Sequence, residues 1–212
     1  MPGALTQAQV AIEAAAIVAF ALSGLIEAAR KRLDAVGVVV VAGLTAFGGG
    51  TLRDVLLDRR PFFWVQHANW LWVLLALCVG AMLFMRGRHM APTERAMQWP
   101  DALGLGLFSA AGTQLALGMA MPPIVAVLMG MVTAVFGGVL RDVVCNEIPQ
   151  AFSDHRPYAL CAFAGGWVLV GAQAGGWGSE AALLAGAGVA AGLRVLVLLT
   201  GYTLPAWTVG PR

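Results

Sequence analysis

Charge is scarce in this chain. Only 11% of its 212 residues are Asp, Glu, Lys or Arg, against about one-quarter in a soluble domain. Hydrophobic residues make up 59%, and mean hydropathy is +0.80. One core cannot bury that much apolar surface, so lipid must solvate much of it. The strand-length alternation of an outer-membrane barrel is also missing, which leaves helices. Cysteines number three, Cys78, Cys145 and Cys161, with no C-x-x-C spacing. They read as small buried hydrophobes, not as a disulfide or metal site. The first nine residues hold no Lys or Arg, so no cleaved signal peptide is expected. The net charge of +2 gives no sign of a nucleic-acid partner.

Catalytic patterns are absent as well. Gly48-Gly49-Gly50 is not G-x-G-x-x-G, and H-E-x-x-H does not occur. Ser23-Gly24 has no histidine at membrane depth, against an intramembrane serine protease. His67, His89 and His155 fall in links and form no ligand cluster. Neither an enzyme nor a cofactor is expected.

What is present is apolar sequence in runs long enough to span a bilayer, which takes about 20 residues. Seven appear: Ala8–Ala29, Ala35–Leu57, Trp70–Met85, Asp101–Ala120, Pro123–Asn146, Pro157–Gly175 and Glu180–Gly201. Trp64, Trp70, Trp72, Trp99, Trp167 and Trp177 mostly flank them, as interfacial aromatics do. Basic residues concentrate in alternate links: Arg30, Lys31 and Arg32, then Arg86, Arg88 and Arg95, then Arg156. Of the opposite links only one is basic, through Arg59 and Arg60. Lys and Arg favour the cytoplasmic side, which puts the N-terminus outside and the C-terminus inside. The predicted fold is an all-α integral membrane protein of seven transmembrane helices in one domain, residues 1–212.

Within those runs one phrase occurs twice, 88 residues apart. Thr45-Ala46-Phe47-Gly48-Gly49-Gly50-Thr51-Leu52-Arg53-Asp54-Val55 is followed by Pro61. Thr133-Ala134-Val135-Phe136-Gly137-Gly138-Val139-Leu140-Arg141-Asp142-Val143 is followed by Pro149. Glu13-Ala14 aligns with Asp101-Ala102 and Gly24 with Gly112 at the same offset. Two repeats follow, about 10–86 and about 98–174, with an extra helix at about 180–201. Three spans per repeat is an odd number, so the second copy enters the membrane from the opposite face. This predicts inverted repeats about an axis in the membrane plane.

Consecutive glycines each weaken a helix by about 1 kcal/mol against alanine. A kink or unwound stretch is therefore expected at Gly48, Gly49 and Gly50, and again at Gly137 and Gly138. It would free carbonyls and N–H groups that must line a buried or wet path. Close helix packing is the alternative, the use assigned here to Gly104, Gly112, Gly186 and Gly192. Arg53, Asp54, Arg141 and Asp142 follow the glycines. Helical neighbours point about 100° apart, so each Arg is not expected to pair with the next Asp. Charges at depth must face a polar path or one another; salt bridges locking the repeats together are the structural alternative. Glu13 and Asp101 lie near span starts and are possible vestibule residues. Glu27 reads as solvated at the interface, and Arg194 as snorkelling from the last span.

Two copies of G-G-x-x-R-D in the second and fifth of seven spans resemble the prokaryotic branch of the trimeric intracellular cation channels. Bacterial members are also described as glycine transporter domains. The resemblance covers nearly the whole chain. It implies a homotrimer in the bacterial or archaeal cell membrane, with an hourglass pore in each protomer. It implies pore-lining helices kinked at Gly48, Gly49, Gly50, Gly137 and Gly138, and Arg53, Asp54, Arg141 and Asp142 as polar pore residues. K⁺ and Na⁺ would pass as permeant ions, with membrane lipid as the other partner. Phe136 departs from the triple glycine, so a smaller second kink is expected. Pore arginines repel cations, so carbonyls at the breaks would coordinate the ion while Arg53 and Arg141 form a constriction. The competing reading is an alternating-access carrier of a zwitterion such as glycine, bound by half-helix ends.

Overall fold

The computed structural model describes residues 7–85 and 93–205; Arg86, Arg88 and His89 lie outside them. Nine helices are found among the described residues: α1 (Gln7–Arg30), α2 (Ala35–Leu56), α3 (Phe63–Gln66), α4 (Asn69–Met85), α5 (Glu94–Gly118), α6 (Pro123–Val144), α7 (Gln150–Ser153), α8 (Ala159–Ala174) and α9 (Ser179–Thr200). Four of them, α1, α2, α6 and α9, are long and apolar enough to cross a membrane, and α4 and α8 are shorter apolar helices. Large apolar side chains stand on the outside, Trp72 at 72% exposure and Phe84 at 81%. Such a surface suits lipid and not water.

Helix starts follow local chemistry. The Asp34 carboxylate accepts from the Gly37 N–H at 2.8 Å, capping α2. Thr93 caps α5 by accepting from the Ala96 N–H at 3.1 Å. That cap moves the start of α5 to Glu94, ahead of the predicted Asp101, and the helix continues through Pro100.

Residues 88 apart hold equivalent places. Arg32 and Ala120 both have positive φ, as do Asp58 and Asn146. Thr45 Oγ1 donates to the Val41 carbonyl and Thr133 Oγ1 to the Met129 carbonyl, each at 2.6 Å. Each satisfies its hydroxyl one turn back on its own helix. Phe20 and Phe108, also 88 apart, stack on one another with centroids 5.4 Å apart. The helices of each set of three pack together, and α2 also packs on α6 and α1 on α5. Helix α9 lies against α5 and α8.

The expected unwinding at the glycines is absent. Helices α2 and α6 run uninterrupted through Gly48, Gly49, Gly50, Gly137 and Gly138. The glycines serve close approach instead. A Cβ on Gly49 would overlap the Thr133 carbonyl oxygen, and one on Gly137 the Thr45 carbonyl oxygen. As α2 advances from Thr45 to Gly49, α6 runs back from Gly137 to Thr133. The two helices therefore cross antiparallel, backbone on backbone. Where lipid is as apolar as the side chains, such contact is what holds helices together, and it compensates for glycine's poor helix propensity.

Candidate functional site

Beyond the crossing each helix carries its Arg-Asp pair in its last turn. Because the helices are antiparallel, the pairs lie on opposite sides of the crossing and do not converge. At 1.5 Å per residue the two arginines stand roughly 18 Å apart along the helix axes.

Arg53 is 0% exposed and Arg141 2%. Arg53 Nε donates to Asp54 Oδ1 at 2.9 Å, and Arg141 Nε to Asp142 Oδ1 at 2.8 Å. This corrects the expectation that adjacent positions keep Arg and Asp apart. The flexible stem lets the guanidinium swing back across that angle, and a charge out of water gains by meeting a carboxylate. The second carboxylate oxygen is used as well. Asp54 Oδ2 accepts from the Phe63 N–H at 2.8 Å, and Asp142 Oδ2 from the Gln150 N–H at 2.9 Å. Each Asp thus ties its helix to the short helix that follows.

A second acid reaches each arginine. Arg53 Nη1 donates to Glu13 Oε1 of α1 at 3.0 Å, and Arg141 Nη1 to Asp101 Oδ1 of α5 at 2.6 Å. Glu13 and Asp101 are buried, so they face arginine and not an open vestibule. An unpaired buried arginine is costly, and pairing draws the acids inward. Glu27 is buried too, and not solvated: Arg30 donates to both its oxygens, at 2.8 and 2.9 Å.

The two clusters differ in what surrounds them. Arg141 Nη1 also donates to Ser23 Oγ of α1 at 2.6 Å, and Tyr158 Oη donates to Asp101 Oδ2 at 2.7 Å. The positions equivalent to Ser23 and Tyr158 are Ala111, which has no hydroxyl, and Trp70, which carries an indole in place of the phenol. Arg53 lies instead 5.4 Å from the Phe63 ring centroid, and Arg59 Nη1 approaches Asp54 Oδ1 at 3.7 Å. Gly50 and Gly138, equivalent residues, make room for these aromatics: a Cβ would strike the Phe63 ring in one case and come to 3.3 Å from Tyr158 Oη in the other. Gly48 lines an apolar groove of about 460 Å³ with Phe136 and Leu140.

Arg194 does not snorkel. It is 1% exposed, with Cζ 4.7 Å from the Tyr158 ring centroid. Sequence reasoning passed over Tyr158 and gave Ser23 no role here. Arg194 carried the one available signal, a lone charge inside a span.

In charge terms the cluster around Arg141 has one cation against two carboxylates. The cluster around Arg53 also has two, but Arg59 brings it to neutrality. No grouping of acids, His and Cys fit for a metal ion is found among the described residues.

The chain as a whole resembles known proteins. A family model described as glycine transporter matches residues 10–87 and again 98–174. The chain belongs to that family. A membrane protein of Vibrio cholerae is 38% identical over 171 residues, covering 79% of this chain and 69% of the relative. The Escherichia coli inner membrane protein YadS is 37% identical over 149 residues, covering 70% and 71%. Among solved structures, the TRIC trimeric intracellular cation channel orthologue from Rhodobacter sphaeroides superposes with a TM-score of 0.86 at 32% identity, covering 93% of this chain and all of that one. A prokaryotic TRIC channel solved in 0.5 M KCl gives 0.84 at 26% identity, covering 92% and 98%. The fold of this family member is that of the TRIC channels, a helical, multi-pass membrane protein.

Proposed function

We propose that this protein conducts monovalent cations, K⁺ and Na⁺, through a path inside each protomer between α2 and α6. The observation that carries the reading is the pair of buried Arg–carboxylate clusters on these two helices, in a fold shared with cation channels. The seven spans are α1, α2, α4, α5, α6, α8 and α9, with α1–α4 and α5–α8 as inverted repeats. With the N-terminus outside, the Arg53 cluster lies in the outer half and the Arg141 cluster in the inner half.

Cation passage then rests on side-chain carboxylates, since uninterrupted helices offer no freed carbonyls. Within the cluster around Arg141, Asp101 and Asp142 outnumber the arginine, so these carboxylates are the groups a passing cation meets there. Arg53 and Arg141, each fixed by two acids, act as constrictions that limit passage. Their burial corresponds to a closed conformation. A homotrimer, the assembly named for the Rhodobacter sphaeroides relative, completes the reading.

The carrier reading depends on half-helix ends that would bind a glycine carboxylate. Helices α2 and α6 have no such ends at their glycines, so the channel is the better supported. Planar bilayers holding purified protein decide between them. Resolved unitary currents in KCl, indifferent to added glycine, support a channel. Saturable glycine uptake with no unitary current overturns it.

A further inference from the structure

Helix α9 has no counterpart in the duplication, yet it supplies a buried arginine to the inner half. The Arg194 guanidinium covers the Tyr158 ring at 4.7 Å. Its nearest carboxylate oxygen is Asp154 Oδ2 at 3.9 Å, too long for a hydrogen bond. Its Nε and Nη1 are buried without a hydrogen-bond partner. A charge held this way inside a membrane protein is expensive, and the Asp154 carboxylate and the cation–π contact with Tyr158 compensate for it. Tyr158 is itself buried, and its hydroxyl donates to Asp101 Oδ2 while Arg141 holds Asp101 Oδ1. One chain of contacts therefore runs from α9 through the start of α8 to α5 and α6.

We propose that Arg194 is a positioning residue for the inner constriction. It pins the Tyr158 ring, which holds Asp101 against Arg141 and keeps the constriction closed. A cation over the ring face also draws electron density from the phenol and strengthens its O–H as a donor to Asp101. Without Tyr158, Asp101 Oδ2 is free to turn toward a permeating cation. Trp70 stands at the equivalent place of the first repeat, and no α9 follows that repeat, so the outer constriction lacks this control. Helix α9 thus sets the balance between closed and open at one end only. The proposal rests on the cation path described above.

The test compares wild type with Arg194→Gln, Arg194→Lys, Tyr158→Phe and the Gln/Phe double variant in the full-length protein. Open probability in planar bilayers is expected to rise about fivefold or more in Arg194→Gln, the factor carried by even a small change in free energy. Tyr158→Phe, which keeps the ring and loses the hydroxyl, should match it. The double variant should exceed neither, because both act through one contact chain. Arg194→Lys, which keeps a cation over the ring, should restore most of the wild-type behaviour. An unchanged or lowered open probability in Arg194→Gln overturns the proposal, as does multiplication of the two effects.

A second readout needs no current. Cys161 is buried in the first turn of α8, its thiol donating to the Pro157 carbonyl at 3.0 Å. In protein carrying Cys78→Ala and Cys145→Ala, Cys161 should react faster with a thiol reagent in Arg194→Gln and Tyr158→Phe alike, and in the double variant no faster than in either. Equal rates in all variants contradict the positioning role. If wild type carries no current, the cation path fails, while the Cys161 rates still decide the role of Arg194.

Discussion

Arg141 Nη1 lies 2.6 Å from Asp101 Oδ1, with one side chain 2% exposed and the other 5%. Two elements separated by 40 residues thereby share a charge pair out of water. Removing one member strands the other. Arg141→Gln leaves Asp101 and Asp142 buried without their cation, and about 3–5 kcal/mol of stability should be lost. Arg53→Gln should cost less, because Arg59 remains 3.7 Å from Asp54. Thermal unfolding in detergent should rank wild type above Arg53→Gln and Arg53→Gln above Arg141→Gln. Equal melting temperatures for all three would contradict the pairing.

The helix crossing makes a separate prediction. Gly49→Ala and Gly137→Ala each drive a methyl group into a backbone carbonyl of the facing helix. Overpacking of this kind costs about 1–3 kcal/mol or more. Gly80 and Gly188, where nothing lies within 4 Å of an added Cβ, are the controls. Alanine there should be neutral or stabilise by up to about 1 kcal/mol through helix propensity. If all four substitutions behave alike, the glycines are not at a packed crossing.

At the surface Lys31 donates to Glu147, joining the end of α1 to the link after α6. This bond, and then the charge of Lys31, holds the Glu147 carboxyl below the usual carboxylate range. A depressed carboxylate contributes stability that is complete above its unfolded value and lost as pH falls through the folded one. The tie should therefore be intact at neutral pH and lost only below the ordinary titration range of Glu. Stability measured between pH 7 and pH 3 should fall more steeply in wild type than in Glu147→Gln; parallel curves would show that the tie contributes nothing.

Much of the fold was legible because bilayer thickness fixes span length and duplication leaves a constant offset. The phrase around Gly49 and Gly137 coincides with the crossing of α2 and α6. What it did there was not legible: propensity alone predicts a weakened helix, whereas the facing carbonyls of Thr133 and Thr45 turn the missing side chain into a contact. The pairing of Arg53 with Asp54 was misjudged because Cβ directions were considered without the length of the arginine stem. Glu13 and Asp101 were found through the offset, but their burial came only with the arginines they face. Ser23 and Tyr158 have no equivalent in the other repeat, and Arg194 lies outside both. No pattern in the sequence could bring those three together.

The reversal potential of unitary currents across a KCl gradient tests the central claim most directly. With purified protein in a planar bilayer, current through a path dominated by Asp101 and Asp142 should reverse near the K⁺ equilibrium potential. Asp101→Asn, where it folds, should move the reversal toward zero. Reversal near the Cl⁻ equilibrium potential in wild type would contradict a cation path, as would the absence of any unitary current.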